Sequence, residues 1–231
     1  LNSLHWNASK YAFVKNDYGF STTYSPWLKN LASDVKLLYL TGFYRVDKQQ
    51  TVAMGIRYFT LGSVTFNDDN GNFVSKQNPN EFTIEGSYAR LFSERMSGGI
   101  TFRYIVSDLA KGTLAGNQPT KAGKSFSADI STYYRRPVSL GKNEGEWSWG
   151  INISNIGSKI SYVEGEKKDF IPANLRIGTA LKVDLDAYNN IMFGFDINKL
   201  LVPTPPIYQL DSAGNYVYDN DADINHLDVM Y

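Results

Sequence analysis

The chain has 231 residues, 42% of them hydrophobic and 20% charged, with 23 Lys+Arg balanced by 23 Asp+Glu. A formal net charge of zero leaves no basic excess to neutralise phosphates, so nucleic acid is not an expected partner. Cysteine is absent, which excludes a disulfide framework, a zinc–thiolate cluster and a thiol nucleophile and suits passage through an oxidising compartment.

The 16 Tyr, 13 Phe and 19 Gly favour many strands, and no stretch approaches the roughly 20 consecutive apolar residues of a membrane helix. Mean hydropathy is −0.33. The chain does not open on a charged n-region followed by an apolar h-region, so a signal peptide is expected to be cleaved or to lie outside this sequence.

Taken in chain order, residues 1–17 precede the first strand-like run, 18–24, and 35–46 reads as the second. Between 51 and 60 the alternation is strict: Val52, Met54, Ile56 and Tyr58 oppose Thr51, Ala53, Gly55 and Arg57. The phase recurs with Met96, Ile100, Phe102, Tyr104 and Val106 against Ser97, Gly99, Thr101, Arg103 and Ser107. Phe126, Ala128, Ile130 and Tyr134 then oppose Ser125, Ser127, Asp129 and Ser131, and Trp147, Trp149, Ile151 and Ile153 oppose Ser148, Gly150, Asn152 and Ser154. Leu175, Ile177, Leu181 and Val183 alternate with Arg176, Gly178 and Lys182, and Ile191, Phe193, Phe195 and Ile197 with Gly194, Asp196 and Asn198. Nine strands are expected by Leu200 and a tenth near Tyr216.

Alternation suits a soluble β-sandwich or a propeller-like module as well as a membrane barrel, although no propeller repeat is visible. Loop lengths separate these readings. Tight connections at 47–50, 92–95 and 185–189 take turns with long ones at 67–80, 108–123 and 156–173, and 137–145 is the one short-side turn expected to run long. Short turns on one side and long loops on the other point to an antiparallel up-and-down outer-membrane barrel, whose strands need about 9–11 residues to cross the bilayer.

The inward phase carries Arg57, Glu85, Arg103 and Asp129 on successive strands, with Arg176 and Asp196 further round. Their alternating signs fit a lumenal charge ladder, either stiffening the wall and holding an N-terminal plug or lining a polar path for a solute. Trp27, Trp147 and Trp149, with Tyr24, Tyr133 and Tyr134, suit aromatic girdles at the membrane interface or a partner contact. The two histidines, His5 and His226, stand near opposite ends and off the strands, so they read as ordinary segment or loop residues. Asp219, Asp221 and Asp223 lack the glycine and distal Glu of a calcium loop and read as a solvated acidic stretch. No catalytic, metal or cofactor site is expected.

The opening, from Ser3-Leu4-His5-Trp6-Asn7 to Tyr11-Ala12, resembles the Asn-Pro-Ala segment near the start of fatty-acid-transporter-like barrels, with Ala8 and Ser9 where that motif has Pro and Ala. Tyr24-Ser25-Pro26-Trp27-Leu28, Arg57-Tyr58-Phe59-Thr60-Leu61-Gly62, Arg103-Tyr104-Ile105-Val106-Ser107-Asp108-Leu109, Ser154-Asn155-Ile156-Gly157-Ser158-Lys159-Ile160-Ser161-Tyr162 and Asp196-Ile197-Asn198-Lys199-Leu200-Leu201-Val202-Pro203-Thr204-Pro205 resemble the PorV (LptO) family of type IX secretion outer-membrane proteins. The resemblance spans nearly the whole chain. It implies an all-β transmembrane barrel of about fourteen strands with an N-terminal plug. On it, residues 1–17 are expected to form a plug or hatch-like segment and 18–231 part of the barrel, in the outer membrane of a Gram-negative bacterium.

The resemblance further implies a non-enzymatic shuttle. On the resemblance, it is expected to bind the C-terminal signal domain of exported cargo at the large translocon barrel and to deliver that cargo to a surface attachment complex, where a separate sortase-like protein would couple it to lipopolysaccharide. Membrane lipid is the remaining implied partner. A fatty-acid-transporter-like channel for hydrophobic solutes is the alternative. The expected partner-binding loop holds Pro203, Pro205 and Pro206, which favour extended backbone, followed by Ile207, Tyr208 and Leu210; the prolines equally suit a simple strand end.

Overall fold

The computed structural model of the chain describes residues 3–27, 34–67, 70–109, 114–115, 118–163, 168–201, 208–210 and 216–218. A short helix, α1 (Ser3–Trp6), and a 3-10 helix (Ala8–Phe13) come first. The strands follow as β1 (Tyr18–Pro26), β2 (Lys36–Arg45), β3 (Gln50–Thr60), β4 (Val64–Asn67), β5 (Phe73–Gln77), β6 (Asn80–Leu91), β7 (Met96–Asp108), β8 (Leu114–Ala115) and β9 (Gln118–Pro119). After them come β10 (Gly123–Leu140), β11 (Asn143–Gly157), β12 (Asn174–Asp184), β13 (Asn190–Leu200), β14 (Tyr208–Leu210) and β15 (Tyr216–Tyr218).

Nine of these form one antiparallel sheet in the order β1-β2-β3-β6-β7-β10-β11-β12-β13, so every sheet strand pairs with the sheet strand before it in the chain. This is the up-and-down connectivity of a barrel wall, and the expected nine strands are all present. The other strands make three separate two-stranded ribbons, β4-β5, β8-β9 and β14-β15. The expected tenth strand is therefore not part of the sheet: Tyr216–Tyr218 pairs with Tyr208–Leu210 instead. No helix among the described residues is long and apolar enough to cross a membrane.

The two faces of the sheet differ in a way that separates the fold classes. Met54, Phe102 and Phe126 are 68%, 69% and 67% exposed, whereas Ser97, Thr101 and Ser125 on the opposite phase are at most 1% exposed. A soluble sandwich turns its apolar face to a core and its polar face to water. Here the apolar face is bare and, from β2 to β11, the small, polar face is covered, which is the inside-out arrangement of a membrane barrel wall.

The N-terminal segment covers the inner face over β3, β6, β7 and β10, and the connection after β11 covers its long-loop end, where Ser125 Oγ donates to the Ser158 carbonyl and the Tyr162 hydroxyl to Ser107 Oγ. Leu4, Tyr11 and Ala12 pack with Ala53 of β3 and Ala89 of β6, flanked by Val14, Phe43 and Leu91. Small inward residues permit this, because alanine at 53 and 89 leaves room for the Tyr11 ring where a larger side chain would fill it.

Three of the tight turns follow one plan. Val46 N–H donates to the Gln50 carbonyl, Phe92 to Met96 and Leu185 to Asn189, each at 2.9 Å. Inside each turn the first side chain accepts two backbone N–H groups: Asp47 from Gln49 and Gln50, Ser93 from Arg95 and Met96, Asp186 from Tyr188 and Asn189. Asp and Ser suit this position because a short side-chain oxygen reaches the backbone two and three residues on.

The fourth connection on that side corrects the sequence reading. Residues 137–145 are not a long turn: β10 continues through Pro137 and Val138 to Leu140, which pairs with Asn143 across a two-residue turn whose Gly141 has φ 66°. Pro137 is tolerated because residues 135 and 137 point their nitrogens toward the same side. That side is β7, whose ladder stops at Met96 just after Arg135 N–H bonds to the Arg95 carbonyl.

Candidate functional site

The N-terminal segment sits in a seat cut into the inner face. The Asn7 carboxamide accepts from Ser9 N–H at 3.1 Å and donates to the Thr132 and Ile151 carbonyls at 2.9 and 3.3 Å. Ser9 N–H also donates to Ser131 Oγ at 3.1 Å, and Ser97 Oγ donates to the Ser9 carbonyl at 2.8 Å. Backbone approaches this closely only where the wall lacks side chains. A Cβ on Gly55 would fall 2.7 Å from Leu4 Cδ2, one on Gly99 2.7 Å from Ser9 N, and one on Gly150 2.9 Å from Asn7 Nδ2.

Next to this seat lies a cluster of buried charge. Glu85 is 1% exposed and accepts from Arg103 Nε at 3.0 Å and from the Tyr39 hydroxyl at 2.5 Å. Arg103 reaches across to Asp129 with both terminal nitrogens, at 3.1 and 2.9 Å, and Nη1 also donates to Asn155 Oδ1 at 2.5 Å. Arg57 lies 3.6 Å from Glu85, its guanidinium 4.7 Å from the Tyr39 ring centroid. Two cations and two anions thus neutralise one another inside the wall. Pairing is what allows Glu85, Arg103 and Asp129 to be buried, because an unpaired charge there is far more costly.

Asn155 joins the cluster through a bulge. Ala128 pairs with Ile156 and Ile130 with Ile153, so Asp129 faces both Ser154 and Asn155, and Asn155 takes a left-handed φ of 60°. Its N–H then donates to Asp129 Oδ1 at 2.8 Å and its Nδ2 to the Pro172 carbonyl at 2.9 Å, which ties the long connection after β11 to the charged cluster.

Of the six residues expected to form a charge ladder, Arg57, Glu85, Arg103 and Asp129 are brought together and Arg176 and Asp196 are not. The Arg176 guanidinium lies 4.6 Å from the Trp6 ring centroid, with Nε and Nη1 buried and, among the described residues, without a hydrogen-bond acceptor. Trp6, Arg176 and Asp196 border a cavity of about 440 Å³ between the N-terminal segment and the inner face of β11, β12 and β13. His5 lies beside the same cations. Burial first, and then the nearby Arg57, Arg103 and Arg176, lower its pKa to about 4, so it adds no charge at neutral pH.

Sequence reasoning missed Tyr39, Asn155, Asn7, Ser9, Ser97 and Ser131. Their partners lie on other strands, so only the register reveals them. The expected interface aromatics fall at opposite ends of the sheet. Trp27, directly after β1, meets Phe59 at 6.0 Å on the long-loop side. Trp147 and Trp149 lie toward the short turns, both against Tyr134. In the expected partner-binding loop, Pro203, Pro205, Pro206 and Ile207 lie outside the described residues, and of Tyr208 and Leu210 only the backbone is described, as β14. Asp219, Asp221, Asp223 and His226 also lie outside them.

The model of the type IX secretion system protein PorV matches residues 2–207. The chain belongs to the PorV family. The match takes in the N-terminal segment, all nine sheet strands and the whole buried cluster, so the features above are those of a PorV chain and not of an appended domain. The PorV family is one of type IX secretion system proteins, which places this chain among the components of that system. Comparison with curated proteins gives no match.

Proposed function

We propose that this PorV-family chain is an outer-membrane barrel that serves type IX secretion without bond chemistry of its own. In this reading it binds the C-terminal signal domain of exported cargo at the large translocon barrel and carries that cargo to the surface attachment complex and its sortase-like protein. The carrying observation is the family match over residues 2–207, joined to a sheet whose bare face is apolar and whose covered face is polar. Residues 1–17 act as the plug, held by Asn7, Ser9 and the glycine seat, and Arg57, Glu85, Arg103 and Asp129 stiffen the wall around it. Recognition falls to the long connections, including Pro203, Pro205, Pro206, Ile207, Tyr208 and Leu210, because binding residues concentrate on loops carried by a rigid scaffold.

The second reading is a channel for hydrophobic solutes, favoured by the cavity beside Trp6, which Met192 lines together with Arg176. Purification of the tagged protein from native outer membranes, followed by mass spectrometry, separates the two. Co-purifying translocon and cargo signal domains support the shuttle; bound lipid without protein partners supports the channel and overturns it.

A further inference from the structure

Near the short-turn end of β10, two adjacent arginines face opposite sides of the wall and meet different fates. Arg135 points inward, where its Nη1 lies 3.5 Å from Glu146 and its guanidinium lies 4.3 Å from the Phe13 ring centroid. Arg136 points outward and is exposed, and among the described residues no carboxylate lies within ion-pair distance of it. Its guanidinium lies over the ring of Trp147, 5.0 Å from the centroid.

That ring is fixed. Trp147 Nε1 donates to Thr179 Oγ1 at 3.0 Å, and the Thr179 hydroxyl donates in turn to the Ser148 carbonyl at 3.0 Å. Tyr134 stacks on Trp149 with centroids 5.8 Å apart and meets Trp147 edge-on at 6.1 Å. A guanidinium lying over an aromatic face still has N–H groups to offer an anion.

The level of Arg136 on the strand is informative. The outward residues of β10 run Phe126, Ala128, Ile130, Thr132 and Tyr134 from one aromatic to the other, which is the length of a strand that crosses the hydrocarbon, about 9–11 residues. Arg136 comes next, one outward step past Tyr134 and directly opposite Trp147 in the β10–β11 register. From there toward mid-sheet the neighbouring strands present Ile151, Ile177 and Ile197 in one register row, with Phe195 and Phe193 beside it. A cation at the interface therefore stands above an apolar wall, the arrangement that fits a phosphate joined to acyl chains.

We propose that Arg136, oriented by Trp147, is a phosphate-binding site for an anionic glycerophospholipid of the membrane leaflet at the short-turn end. The inference rests on the outer-membrane reading and deepens it. Inward Arg135 takes no part, since it already has a carboxylate.

The test uses the full-length protein purified from membranes into detergent, with heat-modifiability on gels to confirm the folded barrel. Native mass spectrometry then counts retained phosphatidylglycerol, phosphatidylcholine of the same acyl composition, and inorganic phosphate. The wild type retains phosphatidylglycerol in preference to phosphatidylcholine, and inorganic phosphate alone neither binds nor displaces it. Arg136→Gln lowers phosphatidylglycerol retention by about fivefold, the effect of one arginine at an anionic lipid surface. Arg135→Gln leaves retention unchanged. Equal retention of the two lipids by the wild type overturns the proposal whether or not the Arg136 variant assembles. Binding of inorganic phosphate by itself, or equal loss in both arginine variants, also overturns it. A wild-type chain that forms no heat-modifiable barrel refutes the outer-membrane reading itself, whereas a folded barrel without lipid preference refutes only this site.

Discussion

A Cβ on Gly99 would lie 2.7 Å from the backbone nitrogen of Ser9, so strand β7 and the N-terminal segment meet where they do only because position 99 carries no side chain. Ser9 is wholly buried and bonded to both Ser97 and Ser131, so it has no room to yield. Gly99→Val is therefore expected to lift the segment from the wall while the strands still pair. In planar bilayers the wild type shows no steady large conductance and the variant shows one, with both proteins heat-modifiable on gels. A steady large pore in the wild type would show that the segment does not plug the barrel.

The charged cluster makes an asymmetric prediction. Asp129→Ala leaves the buried Arg103 guanidinium without its bidentate partner, a change that typically costs about 3–5 kcal/mol. Arg57→Gln removes only a 3.6 Å contact from an arginine that is 24% exposed, and Glu85 keeps Arg103 Nε and the Tyr39 hydroxyl as donors, so the loss should be clearly smaller. Urea unfolding of the assembled barrel should separate the two variants clearly. Equal losses would mean that the cluster is solvated in the membrane.

The faces make another. Phe102 is bare and Thr101 is buried, so Phe102→Arg places a charge on the lipid side at a cost of about 2–4 kcal/mol near mid-bilayer, whereas Thr101→Ala is mild. The heat-modifiable fraction after refolding into vesicles reads the difference. Equal yields would invert the assignment of faces.

The turns respond to pH in a defined direction. Hydrogen bonds from Gln49 N–H and the Gln50 groups hold Asp47 below the usual carboxylate range, and bonds from Asn189 and Tyr188 do the same for Asp186. A depressed folded pKa contributes stability that is present above the ordinary value near 4 and lost as pH falls through the folded one. Hydrogen-exchange protection at Gln49, Gln50, Tyr188 and Asn189 should therefore decline from about pH 5 to pH 3. The Ser93 turn, built alike around a hydroxyl, is the internal control: protection at Arg95 and Met96 stays constant. A parallel decline in all three turns would point to the barrel as a whole.

The strands and their phase were legible because a period of two places every side chain of a half-covered sheet, as in Val52 to Tyr58 against Thr51 to Arg57. The turn at Gly141 was not, since Pro137 and Gly145 carry the same local signal as a loop, and only the end of the β7 ladder shows why the strand passes through them. Likewise Glu85, Arg103 and Asp129 were visible as inward charges. Tyr39 and Asn155 were invisible because they arrive through the pairing of distant strands and one bulge. Arg176 and Asp196 share the same phase yet stand apart from the cluster, for phase fixes the face and not the distance along it.

The central claim is that this PorV-family barrel binds cargo. The most direct test titrates the purified, folded barrel with an isolated C-terminal signal domain of a type IX substrate and follows binding at equilibrium. Saturable binding is expected, and the double variant Ile207→Ser with Tyr208→Ser should weaken it while leaving the barrel heat-modifiable. Absence of saturable binding to a well-folded wild-type barrel would contradict the account.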